Sequence, residues 1–256
     1  MRIRRPLALT AALALGLSLS ACAKPAPQPT APAGIDLGSA EAAAGNGLWL
    51  RSGEDLVAIV TGAMRAAGPV HVTGSVTETV QTSPDADPAP GRTVTIDYRG
   101  TSAAYTATVA AGDLRLEAVV SSTGTRLRGN AAFARLYPGT TPGAVTCTTG
   151  LDPRLSEWGP LLDPADLVRT VLDGRGVAAS APDADAPADG ADTIDVVTGE
   201  EGSVVGVLTV DRFGPPLPRT FVGGDASGQG SLAFADWGEP VDLAAAAAAL
   251  PCTEER

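Results

Sequence analysis

Apolar and polar residues follow three different rhythms along this chain. Residues 7–19 form a largely apolar run behind a cationic start of Arg2, Arg4 and Arg5. At about 13 residues the run is short of the roughly 20 that a spanning helix needs, so it predicts a cleaved export signal and not a membrane span. The spacing then turns helical. Leu56, Ile59, Val60, Ala63 and Ala67 recur at i, i+3, i+4, i+7 and i+11, Val57 and Met64 widen the stripe, Ser52 with Asp55 caps the start and Gly68-Pro69 ends it. After that the period falls to two. Val94, Ile96 and Tyr98 alternate with Thr95, Asp97 and Arg99, and Leu114, Leu116, Ala118 and Val120 are interleaved with Arg115 and Glu117. Such segments have one dry and one wet face, the mark of antiparallel strands.

Similar runs fall near 70–80, 103–109, 125–128 and 132–137, with turn signals at Ala111-Gly112-Asp113 and Thr123-Gly124. A second helix is predicted over 163–174. Leu162 precedes an Asp163 cap, Pro164 takes the first turn, Asp166 and Leu167 complete a cap with a hydrophobic staple, and Gly174 ends it. Leu167, Val168, Val171 and Leu172 form its apolar face. Strands resume near 193–198, 203–213, 217–223 and 231–237, giving about ten strands and two principal helices. Ten one-sided strands present more dry surface than two short helices cover unless the sheet curls around them. The predicted fold is α+β: a strongly curved antiparallel β-sheet, a half-barrel, with helices packed in its concave face. A full barrel with helices outside requires apolar residues on both faces, which the polar rows contradict.

Chemistry enters at Leu19-Ser20-Ala21-Cys22, a lipobox at the end of the export signal. Small residues at Ser20 and Ala21 fit a peptidase cleft, and the Cys22 thiol is the nucleophile that takes up a diacylglyceryl group. An ordinary signal followed by a chance cysteine is the plainer alternative. Two or three acyl chains, at about 0.8 kcal/mol per buried methylene, hold a protein on a bilayer, whereas one is marginal. The expected organisation is a signal peptide over 1–21, a lipidated Cys22 with a Pro/Ala-rich tether over 22–47, and a single domain over 48–256 interrupted by an acidic loop at 181–192. The expected location is the extracytoplasmic face of the cell membrane.

Removing Arg2, Arg4 and Arg5 with the signal leaves 15 basic side chains against 29 acidic ones, so the mature net charge is −14. Such a surface repels nucleic acid and offers no basic stripe to offset that. It repels an anionic bilayer too, so attachment falls to the lipid anchor. Lys24 is the only lysine while alanine, glycine and arginine are common, a bias of GC-rich genomes such as those of actinobacteria. In an exported chain Cys147 and Cys252 are expected to form a disulfide that pins the C-terminal tail to the body, the alternative being two reduced thiols.

Catalytic signals are weak. The lone His71 lies on the polar row His71, Thr73, Ser75, Thr77, Thr79 with no second histidine to build a metal triad or support a base. Gly223-Gly224 and Gly228 read as a hairpin turn before a phosphate cradle, and Asp183, Asp185 and Asp189 lack EF-hand spacing. Trp158 and Trp237 read as packing anchors at element ends. No nucleophile elbow, P-loop or carboxylate pair stands out, so neither enzyme activity nor a cofactor is expected.

The order of lipobox, Pro-rich tether, helix, long run of strands, the helix LLDPADLVRTVLDG and a closing FADWGEPVDL resembles the LppX/LprG-type lipoproteins of mycobacteria. Those are similar to the periplasmic lipoprotein carrier LolA. The resemblance spans roughly 50–245 and implies an apolar cavity that takes acyl chains of glycolipids or phospholipids, with its lining expected at the helix positions Leu56, Ile59, Val60, Ala63, Met64, Leu167, Val168 and Val171. Low aromatic content, 4% of the chain, leaves small wall residues that suit either a cavity or a thinly packed domain. The implied function is a membrane-anchored lipid-binding protein that shelters acyl chains during transfer across the envelope, with an envelope transporter as a further partner. A regulatory or structural envelope module that binds another protein, such as a sensor, is the alternative.

Overall fold

A single row of side chains crosses almost the whole molecule: Gly129, Leu116, Val109, Ile96, Gly74, Leu232, Phe221, Leu208, Val196 and Ala179 stand opposite one another on neighbouring strands. The strands are β1 (Val70–Val80), β2 (Ala89–Thr101), β3 (Ala104–Ala111), β4 (Leu114–Ser121), β5 (Gly124–Gly129), β6 (Val145–Thr148), β7 (Gly176–Ala179), β8 (Thr193–Glu200), β9 (Ser203–Asp211), β10 (Pro218–Asp225) and β11 (Gly228–Ala235), and all but β6 carry that row. They form one open antiparallel sheet in the order β6-β5-β4-β3-β2-β1-β11-β10-β9-β8-β7. Two meanders therefore meet where β1 pairs with β11. This computed structural model describes residues 45–81, 83, 86, 89–172, 176–180, 192–200, 203–225 and 228–252. Cys22, the signal, most of the tether and residues 181–191 of the acidic loop lie outside that set.

The next row along is polar because strand side chains alternate between faces. Asp97, Thr73, Ala233, Thr220, Thr209 and Asp195 share it, and Thr209 Oγ1 donates to Asp195 Oδ1 at 2.9 Å. The inner rows are buried under α1 (Gly53–Ala67) and α4 (Pro164–Leu172). Leu56, Val60, Met64, Leu167, Val168 and Leu172 join Val72, Ile96, Tyr98, Leu208 and Phe234 in one core that draws on both halves of the sheet. That is the α+β arrangement the alternation predicts: a curled open sheet with its two longest described helices on the inside.

Local chemistry explains the helix ends. Asp163 Oδ1 accepts from the amides of Ala165 (3.0 Å) and Asp166 (3.1 Å), satisfying two of the donors a first turn leaves free, while Leu162 and Leu167 are buried together. The short helix α3 (Gly159–Leu162) leads into this cap. At α1 the Ser52 hydroxyl donates to the Asp55 carboxylate (3.0 Å) instead of accepting from the backbone.

Several expectations are corrected. The described residues hold eleven strands, not ten, because β6 and β7 have four residues each and are too short to display alternation. Residues 132–137 are not a strand: α2 (Ala131–Leu136) forms because Asn130 Oδ1 accepts from the Phe133 amide at 3.0 Å, a cap that fixes helical geometry. Gly223 and Gly224 sit inside β10, with Gly228 opposite Asp225 at the start of β11, so they are strand residues beside the hairpin and not its turn. The Phe221 ring fills the place a side chain at Gly223 would take: a Cβ there would stand 2.6 Å from the ring.

One further helix, α5 (Leu243–Ala249), lies on the opposite face from α1 and α4. Val119, Val145 and Leu250 form a small separate core there with Leu243, Ala246 and Ala247. The expected disulfide joins Cys147 on β6 to Cys252 just beyond α5, with Cα atoms 5.8 Å apart.

Candidate functional site: a cavity at the strand ends between the helices

Helices α1 and α4 bring together the residues proposed as a lipid lining. Leu56, Val60, Met64, Leu167 and Val168 are buried in the shared core, and Ile59, Ala63 and Val171 are half-buried. The side chains of the buried five pack against the sheet and against each other. Met64 alone among the eight reaches a described cavity.

That cavity, about 220 Å³, opens where α1 ends and α4 begins, lined by Met64, Arg65, Gly68, Val70, Gly100, Thr101, Ser102, Asp163, Pro164, Ala165 and Trp237. Two glycines shape it. Gly68 takes φ +85° to turn α1 into β1, a conformation L side chains avoid, and Gly100 takes φ +137° where a Cβ would stand 2.3 Å from the Ala104 carbonyl oxygen. Trp237 forms a wall. Its indole Nε1 donates to the Pro218 carbonyl (3.0 Å), its ring stacks on Phe234 with centroids 6.5 Å apart, and the Gly238 amide bonds to Pro69 O (2.8 Å). At the outer lip Asp166 holds both Arg65 (3.2 Å) and Arg169 (2.9 Å).

Tyr98 lies on the inner row two residues before Gly100. It is fully buried and its hydroxyl has no hydrogen-bond partner among the described residues. Burial, then the neighbouring Tyr105 and the charge of Asp163, push its phenol far above the usual range, and burial pushes Tyr105 up to about 12. Both phenols therefore stay neutral, and that of Tyr98 is a donor with no acceptor among the described residues.

Two larger hollows lie elsewhere. One of about 740 Å³ is on the outer face towards the other strand ends, lined by Ser75, Thr77, Thr93, Val207, Val222 and Ser231 among others. Another of about 310 Å³ runs beside α5 and the disulfide, past Arg126 and Thr148. His71 is on the outer face as expected but only 17% of its side chain is exposed, because two carboxylates close over it. Its Nε2 lies 3.0 Å from Asp97 Oδ1 and its Nδ1 3.6 Å from Asp236 Oδ2, which Arg99 also approaches at 3.5 Å. This is a surface charge network. Trp158 packs under the Arg92 guanidinium at 5.5 Å. Asp183, Asp185 and Asp189 lie outside the described residues, among which no group of three His, Cys, Asp or Glu side chains is placed to hold a metal ion.

Sequence reasoning missed Tyr98 and the cavity role of Trp237. The signal for Tyr98 was present, a tyrosine at an inward position of a strand whose fellow inward residues are Val94 and Ile96. Trp237 joins the site through a turn after β11 that only the β1–β11 pairing brings to α1.

No protein-family model matches the chain, and no curated protein is similar to it at a significant level. Among solved structures, the chain is similar to the crystal structure of LprF from Mycobacterium bovis, with a TM-score of 0.38 and 15% identity over 75% of this chain and 95% of that one. At that distance the match carries no residue role across.

Proposed function

We propose that this chain is a lipid-anchored envelope protein, held on the extracytoplasmic face through Cys22, that binds the acyl chain of a lipid or glycolipid at the cavity between α1 and α4 and shelters it for transfer. The observation that carries the reading is the placement of that cavity. It opens through Met64, Val70, Pro164, Ala165 and Trp237 onto the one face of the sheet where apolar residues of every long strand converge. A 16-carbon chain leaving a bilayer for water costs about 13 kcal/mol at about 0.8 kcal/mol per methylene, so a carrier must supply a comparably dry surface. A volume of about 220 Å³ holds the first part of such a chain. The remainder requires α1 and α4 to part, and the Arg65–Asp166 pair that spans them is exposed and worth about 1 kcal/mol or less.

The test is lipid content. Protein purified from its own host is expected to release stoichiometric lipid on solvent extraction, and Ala165→Trp, which fills the cavity, is expected to lose it while keeping a native melting profile. Full lipid retention by a folded Ala165→Trp protein overturns the site. For the anchor, Cys22→Ala is expected to move the protein to the soluble fraction, and its continued membrane retention would count against lipidation.

A second reading, an envelope module that binds another protein such as a transporter or sensor, is favoured by the 740 Å³ hollow on the outer face, where hydroxyls and the exposed Val222 stand together. Protein that carries no lipid yet crosslinks to one envelope protein through Val222 would select it.

A further inference from the structure

Glycine takes the inward position on three neighbouring strands in one row of the sheet. The registers Thr198↔Gly206, Gly206↔Gly223, Gly223↔Gly230 and Gly230↔Val76 set Gly206, Gly223 and Gly230 side by side on β9, β10 and β11, between Thr198 on β8 and Val76 on β1. None of the three has a positive φ, so the backbone conformation does not call for glycine there. What glycine supplies is room for something to approach the backbone closely. Neighbouring strands lie about 4.8 Å apart, so the bare backbone makes an inner floor about 10 Å wide.

Phe221 projects from the adjoining row and lays its ring on this floor. A Cβ would stand 3.0 Å from ring Cε2 at Gly206 and 2.6 Å from Cζ at Gly223. An aromatic ring over a glycine is an ordinary packing device of sheets. At Gly230, however, the ring would be 3.7 Å from a Cβ, an ordinary contact, so the cleared floor extends beyond what the ring requires. The second observation is a hydroxyl. Thr198 is wholly buried and its Oγ1 has no hydrogen-bond partner among the described residues. That oxygen is directed at the floor, 3.0 Å from the place a Cβ of Gly206 would take. A buried hydroxyl without a partner is unfavourable, and an occupant of the floor with an acceptor atom would satisfy it.

We infer that the glycine floor is a second lipid subsite, closed by Phe221, that takes an acyl ester: its methylenes lie on Gly206, Gly223 and Gly230 and its carbonyl oxygen accepts from Thr198 Oγ1. The inference rests on the acyl-chain reading above and adds a site at the other end of the same inner face. Val70, at the α1–α4 cavity, and Val76, at the floor, are six residues apart on β1, or about 20 Å. Gly223, Gly230 and Val76 are only half-buried, so the floor is within reach of those strand ends. A phenyl ring and a methylene chain have similar thickness, and turning Phe221 about χ1 into another staggered well vacates the space. The chemistry selects an ester over a free fatty acid. Thr198, Val76 and Val94, which flank the glycines in the row, offer no cation to meet a carboxylate.

The Cys22→Ala chain, loaded from cyclodextrin with methyl palmitate isotopically labelled at the carbonyl carbon, tests this by the carbonyl resonance and by uptake. The bound ester is expected to show a resonance displaced by hydrogen bonding. Thr198→Val keeps the side-chain shape and removes the donor, so it is expected to lose that displacement and to bind the ester several-fold more weakly, with hexadecane uptake unchanged. Phe221→Leu keeps an apolar side chain and shortens the plug, and its ester uptake is expected to rise several-fold. A folded Thr198→Val protein that retains the displaced resonance, or a folded Phe221→Leu protein with unchanged uptake, overturns the gated subsite. Ala165→Trp separates this site from the α1–α4 cavity. Ester binding abolished by Ala165→Trp but indifferent to Thr198→Val keeps the cavity and sinks the glycine floor. Binding that survives Ala165→Trp and loses its displaced resonance in Thr198→Val does the reverse, and no ester uptake by the parent chain sinks both.

Discussion

Arg126, on the outer face of β5, donates from one guanidinium nitrogen to the carbonyl oxygen of Leu250 at 3.0 Å, and the same nitrogen reaches Ala247 O at 2.8 Å. The last carbonyls of a helix have no partners within it, and here a strand supplies them. Arg126 also stands opposite Cys147 in the β5–β6 register. Neighbouring positions on the two strands thus fasten the end of α5, one by hydrogen bonds and one by a covalent link. Replacing Arg126 with Met keeps the aliphatic stem and removes the donors. The expected cost is about 1 kcal/mol, reduced from the usual range for charged hydrogen bonds because the site is half-exposed. Amide exchange at 246–250 is expected to accelerate while the core strands stay protected, and unchanged exchange there would show that the helix holds itself.

Cys252→Ser removes the link across 105 residues of chain. The chain-entropy relation gives about 4 to 5 kcal/mol for a loop of about 100 residues, an upper figure for the change in urea denaturation. A seven-residue helix is too short to persist alone. The variant is therefore also expected to bind a hydrophobic dye at the uncovered Val119 and Val145, and a variant with unaltered stability would mean packing alone secures the tail.

Acid is expected to act through Asp152. This carboxylate is 1% exposed, and the Arg154 guanidinium hydrogen-bonded to it, with the Arg154 amide at 2.9 Å, holds its pKa below the usual range against the opposing effect of burial. A lowered folded-state pKa contributes stability that is fully present above the unfolded value near pH 4 and is lost as pH falls through the folded value. Asp152→Asn is expected to cost about 2 kcal/mol at neutral pH and to flatten the loss of stability below about pH 4. Parallel acid limbs for the two proteins would assign that limb to other carboxylates.

Gly129→Ala is expected to be strongly destabilising, since its Cβ would stand 2.1 Å from Cδ1 of the fully buried Phe133. Overpacking of that kind costs about 1 to 3 kcal/mol. Adding Phe133→Leu is expected to recover part of the loss, a coupling that thermal melts of the two single variants and the double variant measure directly. Strict additivity would place the strain elsewhere.

Tyr98→Phe removes a buried hydroxyl that has no partner among the described residues. Deleting an unsatisfied polar atom is expected to raise the stability of lipid-free protein by about 1 kcal/mol, and a drop instead would reveal a partner for the hydroxyl. The same variant reports on the site. Weaker retention of extracted lipid would make the phenol a ligand contact.

Legibility in the sequence tracked how local each determinant is. The α4 cap was readable because Leu162, Asp163, Pro164, Asp166 and Leu167 act on one another within a single turn, and β2 and β4 because seven or eight alternating residues leave one interpretation. Residues 132–137 misled, since six residues of mixed polarity fit either period and the deciding contact, Asn130 to Phe133, lies at the boundary. The alanine run of α5 has no apolar stripe for a pattern to find. Its position depends on Val119, an outward-facing valine that alternation alone would give to solvent. The candidate site was least readable of all, because Gly68, Gly100, Asp163 and Trp237 come from four separate turns that meet only through strand pairing.

The junction of β1 with β11 joins the beginning of the domain to its end. Each meander is able to grow by neighbouring hairpins as the chain emerges, but His71 has no partner on that side until Ala235 arrives, so the shared interior closes late and by contacts of long sequence separation. Until that moment each half carries an unsealed greasy flank. The two flanks are sealed against each other only when almost the last strand of the domain is in place, so the final step of folding is also the one that spans the greatest stretch of chain.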